Sequence, residues 1–593
     1  MTRFRKLGQM PIWLTVPAFG ILLIVFGIPI LRLLLTSLNA PALSVANYHA
    51  FFGQAANIRL LVQTVEISVV ATAICVIIGY PTAYLIVAAS KRLRMVLLVL
   101  VLIPYLTSLL ARTYAWIVIL GDNGLVNKLL LDIGLISSPL QLLYNRFSVY
   151  VGMVHVMLPL MILPLVSVML GIDKSLMAAA RSMGARPFAA FWRVFFPLSL
   201  PGVRSGVLLV FILCLGFYIT PAALGGLGDA MLSTFIAAQV KSTFNIKLIA
   251  TSAFVLLAIA GILLFMLGLD LSSRHHRAAK KERTSWQRRV PSFGTLARYL
   301  NELAAPYRAK RWTAELFQAR DEIYLTKQIG AAFVVLVMSF LLFPGAIVMI
   351  MSFSAGAYLE FPPSGFSLQW YRSFFGDASW TGAAWTSIQI GIAVTILSTI
   401  VGTLAALGLS RTSPGLRSVL TMAILTPITI PLIVVGIAVF LALVNLGLIG
   451  SKSGIVLAHS IGAIGYVVVI VSATLANFDR RLEQAAKSMR AGPVPTFRRV
   501  TLPLILPGIL GGAVFAFIHS FDEVVITSLV SGFSIRTLPL KMWENIRHAI
   551  DPTIAAVSSL LMLLPVLWII AIYFMWWRAR PKHVPTAATA DIG

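Results

Sequence analysis

Glu66, Asp522 and Glu523 are carboxylates set within long apolar runs, and that setting admits two kinds of chemistry. A carboxylate facing a water-filled path attracts a cation, whereas one left desolvated takes up a proton or pairs with a neighbouring segment. Glu66 is a candidate for either. Asp522 and Glu523 are candidates for the same path or for bracing a helix end. His155 and His459 fall early in two apolar runs at roughly corresponding positions, and His519 shortly precedes the acidic pair. A proton relay needs them close together, and histidines satisfied near helix ends are the simpler expectation. Arg112 is expected near the outer end of its run, its guanidinium snorkelling to the interface. Cys75 and Cys214 suggest neither a disulfide framework nor a metal cluster. No nucleophile–base pair or metal-ligand set recurs at useful spacing, so neither catalytic residues nor a bound cofactor or metal are expected. Gly450-Ser451-Lys452-Ser453 lacks the glycine spacing of a nucleotide-binding loop, so any ATP chemistry would belong to another subunit.

The elements that must carry these groups follow from composition. Of 593 residues 59% are hydrophobic and 11% charged, and mean hydropathy is +0.92, a balance that a water-soluble fold does not support. A helix needs about 20 apolar residues to cross a hydrocarbon core of about 30 Å. Stretches near 14–37, 61–89, 95–120, 148–170, 203–222 and 249–270 meet that length, and so do stretches near 330–354, 384–409, 418–445, 454–474, 508–530 and 553–577. The runs are continuous rather than alternating, which predicts an all-α polytopic membrane protein of about twelve spans. Pro81, Pro104, Pro159, Pro221, Pro427 and Pro431 would kink spans around a cavity or be tolerated where neighbours satisfy the freed carbonyls.

Charge sets the expected orientation. With the N-terminus inside, most of the 47 Lys and Arg fall in cytoplasmic segments, which places both termini in the cytoplasm. The net charge of +27 is then mainly a topology signal, and nucleic-acid binding is not expected. Arg3, Arg5 and Lys6 precede a run too long for a cleaved signal peptide, so an uncleaved anchor is expected. The chain divides into a first half over 1–270, a basic cytoplasmic linker over 271–328, a second half over 329–580 and a tail over 581–593.

The halves repeat in order. AAARSMGARPFAAFWRVFFP begins at Ala178 and QAAKSMRAGPVPTFRRVTLP at Gln484, 306 positions later, each between the fourth and fifth spans of its half. Both segments, over 173–202 and 479–508, lie on the cytoplasmic side, as in a parallel repeat of two joined subunits. A repeated cytoplasmic segment points to a repeated docking partner. Ala178, Ala179 and Ala180 supply a small face, Gly184 permits a sharp turn and Pro197 restarts the chain; Ala485, Ala486 and Pro503 repeat the pattern.

These segments resemble the EAA signature of bacterial ABC importer permeases. Ala178 and Gln484 stand where the family has glutamate, Gly184 is kept and Arg490 replaces the second glycine, while Glu483 lies one residue before the lost acid. Leu109–Trp116 and LGFYITPAALGG from Leu215 resemble the first permease of spermidine/putrescine importers. FPPSGFSLQWY from Phe361, HSFDEVVITSLVSG from His519 and DPTIAAVSSL from Asp551 resemble the second. The resemblance implies two fused six-helix type I permease repeats in a bacterial inner membrane. It also implies two copies of an ATPase docked on the two segments, a periplasmic binding protein and a small-molecule substrate. Tyr114, Trp116 and Tyr218, within the resembling segments, join Glu66, Asp522 and Glu523 as candidates for the path. Polyamine is the expected substrate; ferric iron, phosphonate and opine importers are related. A proton-coupled secondary transporter shares the six-linker-six arrangement but has no need of paired docking segments.

Overall fold

Apolar length and proline position dictate the helices of the computed structural model, which describes residues 11–242, 245–266, 322–356, 361–548 and 551–579. Among them nine helices are long and apolar enough to cross a membrane: Ile12–Ser37, Ala55–Ala88, Arg146–Leu170, Pro187–Leu215, Ile246–Leu263, Gln328–Met351, Ala378–Ser410, Lys452–Ala476 and Pro493–Phe521. The last helix, Thr553–Ala579, follows them. The linker over 271–328 lies outside the described residues except for the start of the Glu322–Met351 helix, and so does the tail over 581–593.

Two expected spans are not straight. The run near 95–120 is two helices, Lys91–Leu106 and one beginning at Leu109, bent by 93°; the run near 418–445 is Pro414–Thr429 and Leu432–Asn445, bent by 99°. Pro431 forces Ile430 into the extended region, which no helix accommodates. In the first half Pro104 loosens the last turn, and Thr107 and Ser108 are extended. Pro81 and Pro159, by contrast, sit inside helices that continue.

The expected spans near 203–222 and 508–530 also break. Their long helices start in the segments over 173–202 and 479–508 and end at Leu215 and Phe521, and short helices Ile219–Leu224 and Val525–Val530 follow. Pro221 has no N–H and its ring would clash with the carbonyl of Phe217, so the first break is built into the sequence. At the second break Asp522 and Glu523 therefore lie at a helix end rather than within a span.

The halves are alike down to single hydrogen bonds. Thr64 Oγ1 accepts from Leu232 N at 2.7 Å, and Ser387 Oγ accepts from Leu538 N at 2.8 Å, so each second helix is tied to the start of the matching short helix of its own half, Leu232–Lys241 or Leu538–His548. A side chain at Gly202 would meet Val168 at 3.1 Å, and one at Gly508 would run into Thr474; each glycine lets the fifth helix of its half approach the fourth. The first helix of each half is exchanged. Ile12–Ser37 packs on Ala378–Ser410 and Leu432–Asn445 of the second half, and Glu322–Met351 packs on Lys91–Leu106 and Leu109–Leu120 of the first. Neither half can shed its partner without exposing a packed face.

Candidate functional site

The segments over 173–202 and 479–508 are two copies of one structure. Asp173 caps the first by accepting from Ser175 N at 2.9 Å, and Asp479 caps the second by accepting from Arg481 N at 2.9 Å. The Ser175 N–H holds the Asp173 carboxyl below its ordinary value. The helices Lys174–Ser182 and Arg481–Ser488 then end alike. Ala185 N bonds to Ala180 O at 3.0 Å and Ala491 N to Ala486 O at 3.0 Å, each wrapping the chain back over the last turn. That wrap requires a left-handed residue, supplied by Gly184 at φ +85° and by Arg490 at φ +60°. Short helices Pro187–Ala190 and Pro493–Thr496 lead through five-residue π-turns, Phe191–Phe195 and Phe497–Thr501, into the fifth helix of each half, whose opening turns carry Pro197 and Pro503. Such turns cost regular hydrogen bonds and recur at functional sites.

Arg490→Gly removes a left-handed side chain and Gly184→Ala introduces one into open space, so the first is expected to stabilise and the second to destabilise by about 1 kcal/mol each. Thermal unfolding of the two purified variants checks the opposite signs.

What each segment presents outward is apolar. Met183 is 82% exposed and Met489 83%; Phe188 is 75% exposed and Val494 72%. Each pair is separated by the same 306 positions as the repeat. Leu176 and Leu482 form a third exposed pair. Ala178, Ala179, Gln484 and Ala485 are exposed beside them, while Ala180 is buried and Ala486 half-buried. Glu483 turns inward instead, bonding Arg411 at 2.9 Å and accepting from Thr501 Oγ1 at 2.6 Å. The exposed methionines and the capping aspartates were legible only as part of the repeat, since nothing in their residue types marks them singly.

Three of the four breaks in the spans border one cavity. A cavity of about 220 Å³ is lined by Tyr105, Arg112, Tyr466, His519, Asp522 and Glu523 among others. Asp522 Oδ2 accepts from Leu109 N at 3.0 Å, so a carboxylate of the second half caps a helix of the first, where the helix end carries partial positive charge. Glu523 Oε1 accepts from Ile526 N and caps its own short helix. At the repeat-related position, a side chain on Gly216 would meet Pro431 at 2.8 Å and Leu432 N at 3.0 Å. The same junction is thus closed by direct contact on one side and by an acid on the other.

Arg112 does not snorkel. It is 6% exposed and faces the cavity, because the bend at Thr107–Ser108 turns the start of its helix inward. Of the six path candidates only Asp522 and Glu523 line this cavity. Glu66 is exposed and paired with Arg146 at 3.0 Å, and Arg146 also reaches Asp229 at 3.1 Å. Tyr114 is fully buried. Trp116 packs against His155 and Phe340, with ring centroids 5.6 and 5.5 Å away. Tyr218 packs against Trp543 at 5.5 Å. His459 bonds Ser520 and Thr527, both at 2.9 Å, and His155 bonds Leu341 O at 3.1 Å. Tyr105 and Tyr466 had no signal as aromatics in apolar runs. No group of three or more possible metal ligands occurs among the described residues.

Comparison with known proteins follows the same division. The family model for the binding-protein-dependent transport system inner membrane component matches residues 75–278 and again 398–577. The spermidine/putrescine transport system permease protein PotB of Haemophilus influenzae is 37% identical over 182 residues, 30% of this chain and 64% of that protein, so the chain spans somewhat less than two thirds of its length. PotC of the same organism is 31% identical over 234 residues, 39% of this chain and 90% of that protein. The putrescine transport system permease protein PotI of Escherichia coli is 32% identical over 235 residues, 38% of this chain and 82% of that protein.

Proposed function

Because the chain belongs to the family of binding-protein-dependent transport system inner membrane components and carries that unit twice, we propose that it forms the whole membrane pathway of an ATP-driven polyamine importer. It is a multi-pass inner-membrane permease and not an enzyme, and its family works with an ATPase and a substrate-binding protein. In our reading two ATPase copies dock, one on each cytoplasmic segment, through the residues from Ala178 to Pro197 and from Gln484 to Pro503, Glu483 being turned inward beneath the second. Both termini face the cytoplasm. The segments 173–202 and 479–508 belong to halves 1–270 and 329–580, joined through the linker over 271–328.

The observation that carries the docking reading is the pairing of exposed apolar side chains on two segments with identical caps, turns and π-turns. Water is a poor neighbour for Met183, Phe188, Met489 and Val494, and a partner surface that covers both copies explains why the arrangement occurs twice. Polyamine as substrate rests on the named relatives and on the acids Asp522 and Glu523 at the cavity, which Tyr105 and Tyr466 also line. Substrate would pass between the halves as the ATPases close and open.

The test is uptake of labelled putrescine and spermidine by cells with and without this chain, other polyamine systems removed, under ATP depletion with the proton gradient held. ATP-dependent uptake that disappears on deletion is the expected result. Unchanged uptake redirects the substrate to ferric iron, phosphonate or opine, and uptake that survives ATP depletion while the gradient lasts overturns the ATP-driven reading.

A further inference from the structure

Three positions around the cytoplasmic segments differ together between the halves. In the second, Glu483 bonds Arg411 at 2.9 Å and Thr501 at 2.6 Å, Arg411 standing at the end of the Ala378–Ser410 helix and Thr501 closing the π-turn. Arg480 reaches back to Ser410 O as well. The repeat-related residues of the first half are Met177, Ala88 and Phe195. The correspondence follows from the matched contacts of Thr64 with Leu232 and Ser387 with Leu538, and from the matched π-turns. Met177 packs on the apolar cluster to which Phe195 and Val87 belong. One junction is therefore apolar throughout and its counterpart polar throughout.

The two junctions differ mechanically. Apolar packing is non-directional, so Met177 can slide over its neighbours at little cost. A carboxylate held at once by a guanidinium and a hydroxyl has a fixed geometry, and it cannot shift without breaking charge-assisted bonds. Its side chain is only 14% exposed, so solvent screens it incompletely. The Ala378–Ser410 helix packs in turn on Lys452–Ala476, on Pro493–Phe521 and on the exchanged first helix of the chain. A push on the second segment thus has a rigid route into three helices.

We propose that Glu483, Arg411 and Thr501 form a clamp that makes the second cytoplasmic segment the tighter transmitter of ATPase motion, the two segments being mechanically inequivalent. The clamp rests on the docking reading above, and its residues act as positioning residues for transport. Glu483→Gln keeps an acceptor for Thr501 and removes the charge that holds Arg411. In reconstituted complexes of the full chain with its ATPase and binding protein, E483Q is expected to retain ATPase assembly and basal hydrolysis while substrate taken up per ATP falls about fivefold. The exchange E483R with R411E, which restores opposite charges, is expected to recover most of it, and Met177→Ala in the first half to change it less than twofold. Unchanged uptake per ATP in E483Q overturns the clamp, and so does failure of the charge exchange to recover uptake in a complex that assembles. Loss of ATPase assembly in E483Q would place Glu483 in the docking face and overturn the clamp while leaving docking itself standing.

Discussion

With Met183→Asp and Met489→Asp together, the ATPase is expected no longer to co-purify with the permease, and ATP-dependent uptake to fall below detection. Each methionine is almost wholly exposed at the end of a short helix fixed by an aspartate cap and a left-handed turn, so replacement touches no internal contact. A charge placed in the dry centre of an interface costs about 2 kcal/mol or more at a hot spot, which is about thirtyfold in affinity per segment. Phe188→Asp with Val494→Asp is an independent pair on the same faces and is expected to act alike. Co-purification with the ATPase from solubilised membranes reads the effect directly. Full retention of the ATPase by both double variants would mean that these side chains face solvent, and docking would have to be sought elsewhere.

Asp522→Ala is expected to lower uptake by at least tenfold with membrane insertion and ATPase binding intact. The carboxylate joins the halves at the point where both chains break, and its loss leaves the Leu109 N–H unpaired at the edge of the cavity. An orphaned buried donor costs about 1–3 kcal/mol, between fivefold and somewhat over a hundredfold if the whole cost falls on the transport cycle. Asp522→Asn separates the two roles of the acid. The amide oxygen still accepts from Leu109, so near-normal uptake in D522N assigns the acid to bracing the helix, whereas a loss equal to that of D522A assigns its charge to a cationic substrate. Initial uptake rates for the three proteins, with expression matched, decide between them.

The neighbourhood of Asp522 also shows how far sequence reading reaches. That two acids in an apolar run require an explanation is visible in one dimension, because burying a charge is costly wherever the run folds. That one of them caps a helix 413 positions away is not visible, since the partner is a backbone N–H with no residue-type signature. Arg112 makes the same point in reverse. Read along a straight span it lies near the outer interface, and a bend of 93° four to five residues earlier carries it to the cavity instead. The bend of 99° in the second half carries a local mark in Ile430-Pro431; the first has only Pro104 and two extended residues.

Class and repeat were determined by the sequence alone, because each rests on local physics: apolar length against bilayer thickness, and small residues and prolines recurring 306 positions on in two matching segments. Glu66 paired with Arg146, the exchange of the first helices, the direction in which the bent spans turn and the apolar-for-polar substitution around Glu483 were decided only by tertiary structure. Those features depend on which surfaces far apart in the chain meet. A run apolar on every side states that it will be covered by lipid or protein, but not by which neighbour.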